Sequence, residues 1–409
     1  MAETLRLANA EQVRQAVAWA LAAGEPLEVV GGGSKPGLGR PVSARHRLDL
    51  GYLTTIVSYE PEELVLTAGA GARLCDIREV LAARDQELAF EPPDLAPLLG
   101  GPPDAATIGG ILACNLSGPR RIKAGAARDH FIGVKGVSGR GEAFKSGGRV
   151  VKNVTGYDMS KLLAGSHGTL AALTEVSVRV LPAAEATRTL LLLGLDDAAA
   201  VAALGRAART PLEASGLAHL PAEVAALSSA PEVAAHSGAV TAIRIEGPRE
   251  SVADRAQSLA REFSDLPSAS LDREASHALW AEVRDVAPFA AWPDRVVWRL
   301  SVPPAAGAET VERIKAQVGC TALYDWAGGL IWLALDRGIE AAAESVRAGL
   351  GAPGAPGGHA LLVRARADVR RRVPVFQPQA PALAALSARI KDGFDPKRIL
   401  NPGRMYEGV

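Results

Sequence analysis

A run of three glycines stands directly behind a strand-like stretch: Leu27-Glu-Val-Val30 leads straight into Gly31-Gly32-Gly33-Ser34-Lys35-Pro36. Glycines in that place let the backbone come close to a ligand and turn successive N–H groups inward, a nest suited to the oxygens of a pyrophosphate. A tight turn would account for the same glycines on structural grounds alone. The loop lacks the Gly-Lys-Ser/Thr ending of a Walker A motif, so that nucleotide site is excluded. Gly69-Ala-Gly71 also follows a strand, but Leu74 occupies the third glycine position of the dinucleotide fingerprint, and a Rossmann site is rejected.

The pattern around these glycines is α+β. Asn9 can cap a helix with Gln12 as its capping-box partner, Val13, Val17 and Leu21 form the apolar stripe, and Gly24 ends it. Leu64–Ala68 reads as a strand and Leu74–Arg84 as a helix. Phe131–Val137 is β-rich and runs into a hairpin turn at Ser138-Gly-Arg-Gly141. Leu173–Leu181 alternates cleanly and stops at Pro182. Beyond Pro182 the texture changes: Ala-rich amphipathic stretches (196–209, 251–263, 308–318, 339–350) alternate with short strands (189–194, 240–246, 296–302, 330–335). This predicts a separate α+β domain starting near 183–188. Residues 351–358 form a Gly/Pro loop, and a last helix covers 382–392. No internal repeat is present.

A chain of 409 residues with 48% hydrophobic content suits two or three domains. Its 45 Lys plus Arg balance 45 Asp plus Glu, which argues against a nucleic-acid footprint. Cys75, Cys114 and Cys320 form no C-x-x-C pair, so a reducing compartment is expected and an iron–sulfur cluster held by this chain alone is not. The N-terminus lacks the pattern of a signal peptide, and no apolar run is long enough to span a bilayer.

Two further segments carry small residues in quantity. Thr107-Ile-Gly109-Gly110-Ile-Leu-Ala-Cys114-Asn-Leu-Ser117-Gly118-Pro-Arg120-Arg121 clears side chains from one surface, which suits an extended cofactor or close helix packing. Arg120 and Arg121 then need an anion or solvent. Val151–Leu170 combines three glycines, Tyr157 and a capping Asp158. The seven histidines (46, 130, 167, 219, 236, 277, 359) show no metal-clip spacing, and there is no nucleophile elbow.

The order of these segments resembles the FAD domain of vanillyl-alcohol-oxidase, or PCMH-type, flavoproteins. The carriers are the glycine loop, Thr107-Ile-Gly-Gly110, Lys152-Asn-Val-Thr-Gly-Tyr-Asp158 and Gly165-Ser-His-Gly-Thr-Leu170, followed by Glu175. The match covers 1–182 and resumes at Leu400-Asn-Pro-Gly-Arg-Met405. Within that family the chain is most similar to the E subunits of bacterial glycolate oxidases. Glu91-Pro-Pro93, Cys114, Gly118-Pro-Arg-Arg121, Asp325-Trp326-Ala-Gly-Gly329, Gly357-Gly-His-Ala360 and Asn401-Pro-Gly-Arg-Met-Tyr406 carry this closer likeness.

The resemblance implies a two-lobed FAD-binding domain (1–182), an α+β cap (183–374) and a C-terminal segment (375–409) packing back on the first. It implies a pyrophosphate held around Gly31, Gly32, Gly33, Ser34 and Lys35. Thr107, Ile108, Gly109, Gly110, Cys114, Ser117 and Gly118 would line the flavin and its ribityl chain. Adenine would sit near Pro92–Pro93 or the 165–176 strand-turn. Pro93, Arg120, Lys152, Gly156, Tyr157, Asn401 and Arg404 complete the expected cofactor set.

Many relatives attach flavin through a loop histidine. This loop has none, which implies noncovalent FAD. The catalytic members carry a Gly-Asp-Gly-Asn metal and substrate motif, which is absent here, and no base beside a carboxylate clamp is identifiable. The expectation is therefore an FAD-binding subunit of a complex that oxidises 2-hydroxy acids such as glycolate or D-lactate. Its role would be electron relay or active-site completion beside a sister FAD subunit and an iron–sulfur subunit. A self-sufficient flavoenzyme of the same family and a non-catalytic structural subunit are the alternatives. The expected location is cytoplasmic, with peripheral membrane association through the complex as an option.

Overall fold

The first helix follows from its cap. Asn9 Oδ1 accepts from the Gln12 N–H at 2.9 Å, while Gln12 Oε1 accepts from the Ala8 N–H at 2.8 Å, one residue before the cap, so the expected capping box is only half formed. The computed structural model describes residues 3–148, 157–351 and 357–409. It divides into two compact units. One takes in the described residues up to Ser117, Gly125–Pro182 and Pro378–Val409; the other takes in Gly118–Ala124 and Ala183–Gln377. The sequence expectation kept 118–124 with the first part and ended the second at 374.

In the first unit, β1 (Glu3–Arg6), α1 (Ala10–Ala23), β2 (Leu27–Val30) and β3 (His46–Asp49) form a parallel sheet in the order β1-β3-β2 with a helix on it. Val13, Val17 and Ala20 of α1 are buried in one cluster with Leu27, Leu48 and Leu400. Leu27 also pairs with Leu400 in a parallel bridge, so the C-terminal segment lies along the free side of β2. The second lobe contains β4 (Ile56–Glu60), β5 (Val65–Gly69), α2 (Leu74–Ala82), α3 (Ile108–Cys114), β6 (Phe131–Ser138), β7 (Ala143–Gly147) and β8 (Ala171–Arg179). Its strands make an antiparallel sheet in the order β4-β5-β8-β6-β7. β5 starts one residue later than the alternation suggests, because Leu64 turns to φ 57° to close a 3-10 turn at Pro61–Glu63. A Cβ on Gly69 would stand 2.1 Å from the Leu53 carbonyl, and one on Gly71 2.2 Å from that of Leu50. Those two glycines therefore serve backbone packing, in keeping with the rejected Rossmann site.

The second unit holds β9 (Ala186–Leu193), α4 (Asp197–Ala208), β10 (Gly216–Leu220), β11 (Val240–Gly247), α5 (Arg249–Glu262), β12 (Ser268–Leu271), α6 (Arg273–Asp285), β13 (Val297–Ser301), α7 (Gly307–Lys315), β14 (Cys320–Asp325), β15 (Leu330–Leu335), α8 (Ala343–Gly349) and β16 (His359–Arg364). The strands form one antiparallel sheet, β12-β9-β11-β10-β14-β15-β13-β16. Four of them (β10, β12, β14 and β16) carry no alternation strong enough to be read from sequence. Trp298, Leu300, Tyr324, Ile331 and Leu333 are fully buried in its core. The last helix, α9 (Pro381–Phe394), returns to the first unit.

Candidate functional site

β2 ends at Val30 and the glycine loop takes over. A Cβ on Gly32 would lie 1.9 Å from the Ala105 carbonyl oxygen, and one on Gly31 2.5 Å from Thr107 Oγ1. These two positions are glycine because the loop presses on residues 105–107. Gly33 is glycine for another reason: it takes φ +75°, and the space beyond its α-carbon is open to 4 Å. Among the described residues, none accepts a hydrogen bond from the N–H groups of Gly31 to Lys35. A row of unused donors broken by a left-handed residue is the geometry of an anion nest.

These donors line a cavity of about 660 Å3 in the first unit, within the size range of small-molecule sites. Gly31, Gly32, Gly33, Ser34, Lys35, Thr107, Gly109, Gly110, Cys114, Asn401 and Arg404 all border it. Lys35 Nζ donates to Ser34 Oγ at 3.0 Å, and a Cβ on Gly110 would come within 3.4 Å of the same ammonium. Burial lowers the Lys35 pKa, with Cys114 and Asp94 offsetting part of the effect. Arg404 borders the cavity while bonded to Glu28 Oε1 (3.0 Å) and the Leu38 carbonyl (3.3 Å), and burial lowers its pKa too. His167, also at the cavity, is held neutral by burial first and then by Arg404 and Lys35, with its pKa down to about 3. The cavity thus carries positive charge and polar donors, the character an anionic ligand requires.

The N-terminus of α3 contributes less than its position suggests. The Ile108 N–H bonds the Ala72 carbonyl, the Gly109 N–H bonds the Ala70 carbonyl, and the Gly110 N–H bonds Thr107 Oγ1. What α3 offers is a bare backbone surface at Gly109 and Gly110. Asn401 is also occupied: its Oδ1 accepts from the Val29 N–H (2.8 Å), and its Nδ2 donates to the His167 carbonyl (2.8 Å). It sutures three chain segments beneath the cavity.

Other expected cofactor residues lie elsewhere. Ile108 is fully buried in the core. Pro93 is buried and does not border the cavity, whereas His167, Gly168, Ala171 and Leu173 do. The Ser117 hydroxyl accepts from the Ala127 N–H at 2.8 Å. The Gly118 carbonyl accepts from Trp326 Nε1 at 3.0 Å. Arg120 is neither solvated nor at the cavity: its guanidinium pairs with Glu246 at 2.8 Å, because Glu246 is buried and needs cations. Tyr157 is 90% exposed, away from the cavity lining. Lys152 and Gly156 lie outside the described residues.

Residues the sequence reading passed over also line the cavity. They include Arg6, Glu28, Arg47, Asp49 and Tyr52, at or beside β1, β2 and β3. The polar–apolar alternation of His46-Arg-Leu-Asp-Leu50 is the signal that could have exposed β3. A larger hollow of about 1200 Å3 in the second unit is lined mostly by alanine and proline. Of its acids, Asp197 is taken up by Tyr324 (2.8 Å) and Lys315 (3.1 Å). The smaller cavity is the better candidate, since unused donors converge there.

Comparison with known proteins places the chain among flavoproteins. Residues 2–147 match a family described as an FAD binding domain. The chain is 33% identical over 401 residues to glycolate oxidase subunit GlcE of Escherichia coli (strain K12), covering 97% of this chain and 96% of that one. It is 34% identical over 150 residues to glycolate oxidase subunit GlcD of Bacillus subtilis (strain 168), covering 36% of this chain and 30% of that one. Among solved structures, 4-ethylphenol oxidase from Gulosibacter chungangensis aligns with a TM-score of 0.73 and 15% identity, over 99% of this chain and 89% of that one. p-Cresol methylhydroxylase aligns with the same TM-score and identity, over 98% and 88%. At that identity the two structures establish the α+β fold of these flavoenzymes and nothing further.

Proposed function

The chain belongs to the family of glycolate oxidase E subunits, within the PCMH-type flavoproteins, and on that premise we propose that it is the FAD-holding subunit of a complex oxidising a small 2-hydroxy acid, such as glycolate or D-lactate, to the 2-oxo acid. The observation that carries the reading is the row of unused N–H groups from Gly31 to Lys35 at the edge of a cationic cavity in a chain with full-length likeness to such a subunit.

The residues fit the cofactor. The loop N–H groups and the Lys35 ammonium suit the two negative charges of a pyrophosphate, and the bare backbone of Gly109 and Gly110 admits a flat or extended group. Bound there, FAD would supply two-electron redox chemistry; the protein supplies binding and charge. Attachment is noncovalent in this reading. The glycine loop has no imidazole, and burial pushes the Cys114 thiol pKa up, so the thiol stays protonated and unreactive. A sister FAD subunit and an iron–sulfur subunit are the partners, and electron relay or active-site completion is the role. Among the described residues no helix is long and apolar enough to cross a membrane.

Two measurements test this. Purified protein should be yellow and release its flavin on acid precipitation; flavin retained in the pellet would refute noncovalent attachment, and a colourless chain that ignores added FAD would refute the site. The FAD-loaded chain alone should reduce a dye with glycolate at least about 10²-fold more slowly than the complex reconstituted with both partners, the scale of losing a positioned catalytic group. Equal rates would make the chain a self-sufficient enzyme, and a complex active without flavin in this chain would make it a scaffold.

A further inference from the structure

Three motifs that the cofactor cavity does not use meet within the second unit. Arg121 comes from Gly118-Pro-Arg-Arg121, Trp326 from the Asp325-Trp326 turn, and His359 from Gly357-Gly-His359. The Arg121 guanidinium carbon lies 4.3 Å from the centroid of the Trp326 ring. That of Arg299, on β13, lies 5.2 Å from the same centroid and 5.9 Å from the Trp332 ring. His359 begins β16 opposite Ser301, two residues along from Arg299, so both side chains leave the same face of the sheet.

The indole between the two arginines is fixed. Trp326 Nε1 donates to the Gly118 carbonyl at 3.0 Å, and the Trp326 N–H donates to Asp325 Oδ1 at 2.7 Å. Trp326, Ala327 and Gly328 take φ of 52°, 59° and 94° in succession. Such backbone costs on the order of 1–3 kcal/mol per non-glycine residue and survives only where packing over-determines it. Gly358 allows the approach to β13, since a Cβ there would meet the Ser301 carbonyl oxygen.

Charge makes the cluster unusual. Nearby Arg120 and Arg244 both pair with Glu246. Among the described residues, no carboxylate forms an ion pair with Arg121 or Arg299. Arg121 is exposed and Arg299 half-buried, and the buried Asp325 attracts Arg299 without an ion pair, so the two guanidinium groups on one indole keep a net positive charge. Burial first, and then Arg121, bring the Arg299 pKa down to about 10, with Asp325 opposing. Burial, Arg299 and Arg121 likewise lower that of His359, which leaves its imidazole neutral and able to accept a hydrogen bond.

We propose that Arg121, Arg299 and His359 form a binding site for a small 2-hydroxy acid, the two guanidinium groups holding its carboxylate and the imidazole accepting from its hydroxyl. Guanidinium forks match the planar carboxylate, and the aromatic faces orient them. The choice of a 2-hydroxy acid rests on the function proposed above; the carboxylate specificity rests on the cluster itself. Arg299 is the member that sequence could not supply, since it sits in no motif.

The test is calorimetric titration of the FAD-loaded chain with oxalate, glycolate, acetate, 1,2-ethanediol and sulfate. Oxalate and glycolate should bind and 1,2-ethanediol should not. Arg121→Met and Arg299→Met should each weaken oxalate binding at least tenfold, with Arg299→Lys in between and FAD content unchanged as the control for folding. His359→Ala should weaken glycolate but leave acetate, which lacks the hydroxyl, as in the wild type. No oxalate binding, binding unchanged in both Met variants with FAD retained, or sulfate bound as tightly as oxalate would overturn the proposal. Arginine-dependent oxalate binding in a chain whose assembled complex oxidises no 2-hydroxy acid would keep the carboxylate site and remove the functional reading. A complex active on glycolate with arginine-independent binding would do the reverse.

Discussion

Replacing Lys391 with methionine should loosen the C-terminal segment and release FAD from a site the side chain does not border. Lys391 and Asp395 are both fully buried, with Nζ and Oδ2 2.7 Å apart. Nζ also donates to the Thr169 carbonyl (2.6 Å) and the Leu400 carbonyl (2.9 Å). Asp395 accepts from the N–H groups of Ile399 (3.0 Å) and Leu400 (2.8 Å). Methionine keeps the volume and removes the charge, leaving a buried carboxylate without its cation. Breaking such a pair costs about 3–5 kcal/mol. At about 2–4 °C per kcal/mol for a unit of this size, the midpoint should fall by roughly 6–20 °C. The Lys391→Met/Asp395→Leu double variant should not recover, although buried pairs can often be exchanged for apolar residues. Here the pair also satisfies four backbone groups, and each one orphaned costs about 1–3 kcal/mol. Because Leu400 pairs with Leu27 and Asn401 clips Val29 to His167, loss of the knot should also lower FAD affinity through Arg404 and the glycine loop. Thermal unfolding followed by circular dichroism and by flavin fluorescence reads both effects. A midpoint shift below about 2 °C, or a double variant as stable as the wild type, would refute the reasoning.

Other outcomes follow from the same geometry. Gly33→Ala should fold at a cost of about 1–2 kcal/mol for its left-handed backbone, while Gly33→Glu should also lose FAD by setting a carboxylate among the loop N–H groups; full flavin occupancy in folded Gly33→Glu would reduce the loop to a turn. Gly32→Ala should be the more damaging substitution for folding, since its methyl group would overlap the Ala105 carbonyl, and a soluble variant with wild-type stability would contradict this. Burial opposes ionisation of Glu246, but Arg244, Arg120 and Ser215 outweigh it and hold its carboxyl well below the ordinary value of 4.5. Its stabilisation is therefore complete above that value and is lost as pH falls toward the folded-state pKa. Glu246→Gln should be less stable than wild type at pH 7, with a gap that narrows below about pH 4 in denaturant titrations; a constant gap would deny the linkage.

Local chemistry in the sequence determined a good deal. The Asn9 cap, the Val13–Val17 stripe and the Gly24 stop define α1 within a few neighbouring residues, as does the alternation that becomes β8. Gly31 to Gly33 marked the loop for the same reason, since a glycine run after a strand has few uses. The motifs at 107–118 and 401–404 marked family membership without revealing which members face the cavity: Gly109 and Gly110 border it, Ile108 is core, and Asn401 borders it while serving as a suture. Only the tertiary structure decided that. It also paired Leu27 with Leu400 across nearly the whole chain, made strands of β10 and β16, and separated Arg120 from Arg121. Adjacent in sequence, the first reaches Glu246 while the second stacks on Trp326 beside Arg299. The periodicity of apolar residues is a local property and can be read along the chain. Whether an arginine meets a carboxylate depends on which distant strands pack beside it, and nothing in its immediate neighbours encodes that.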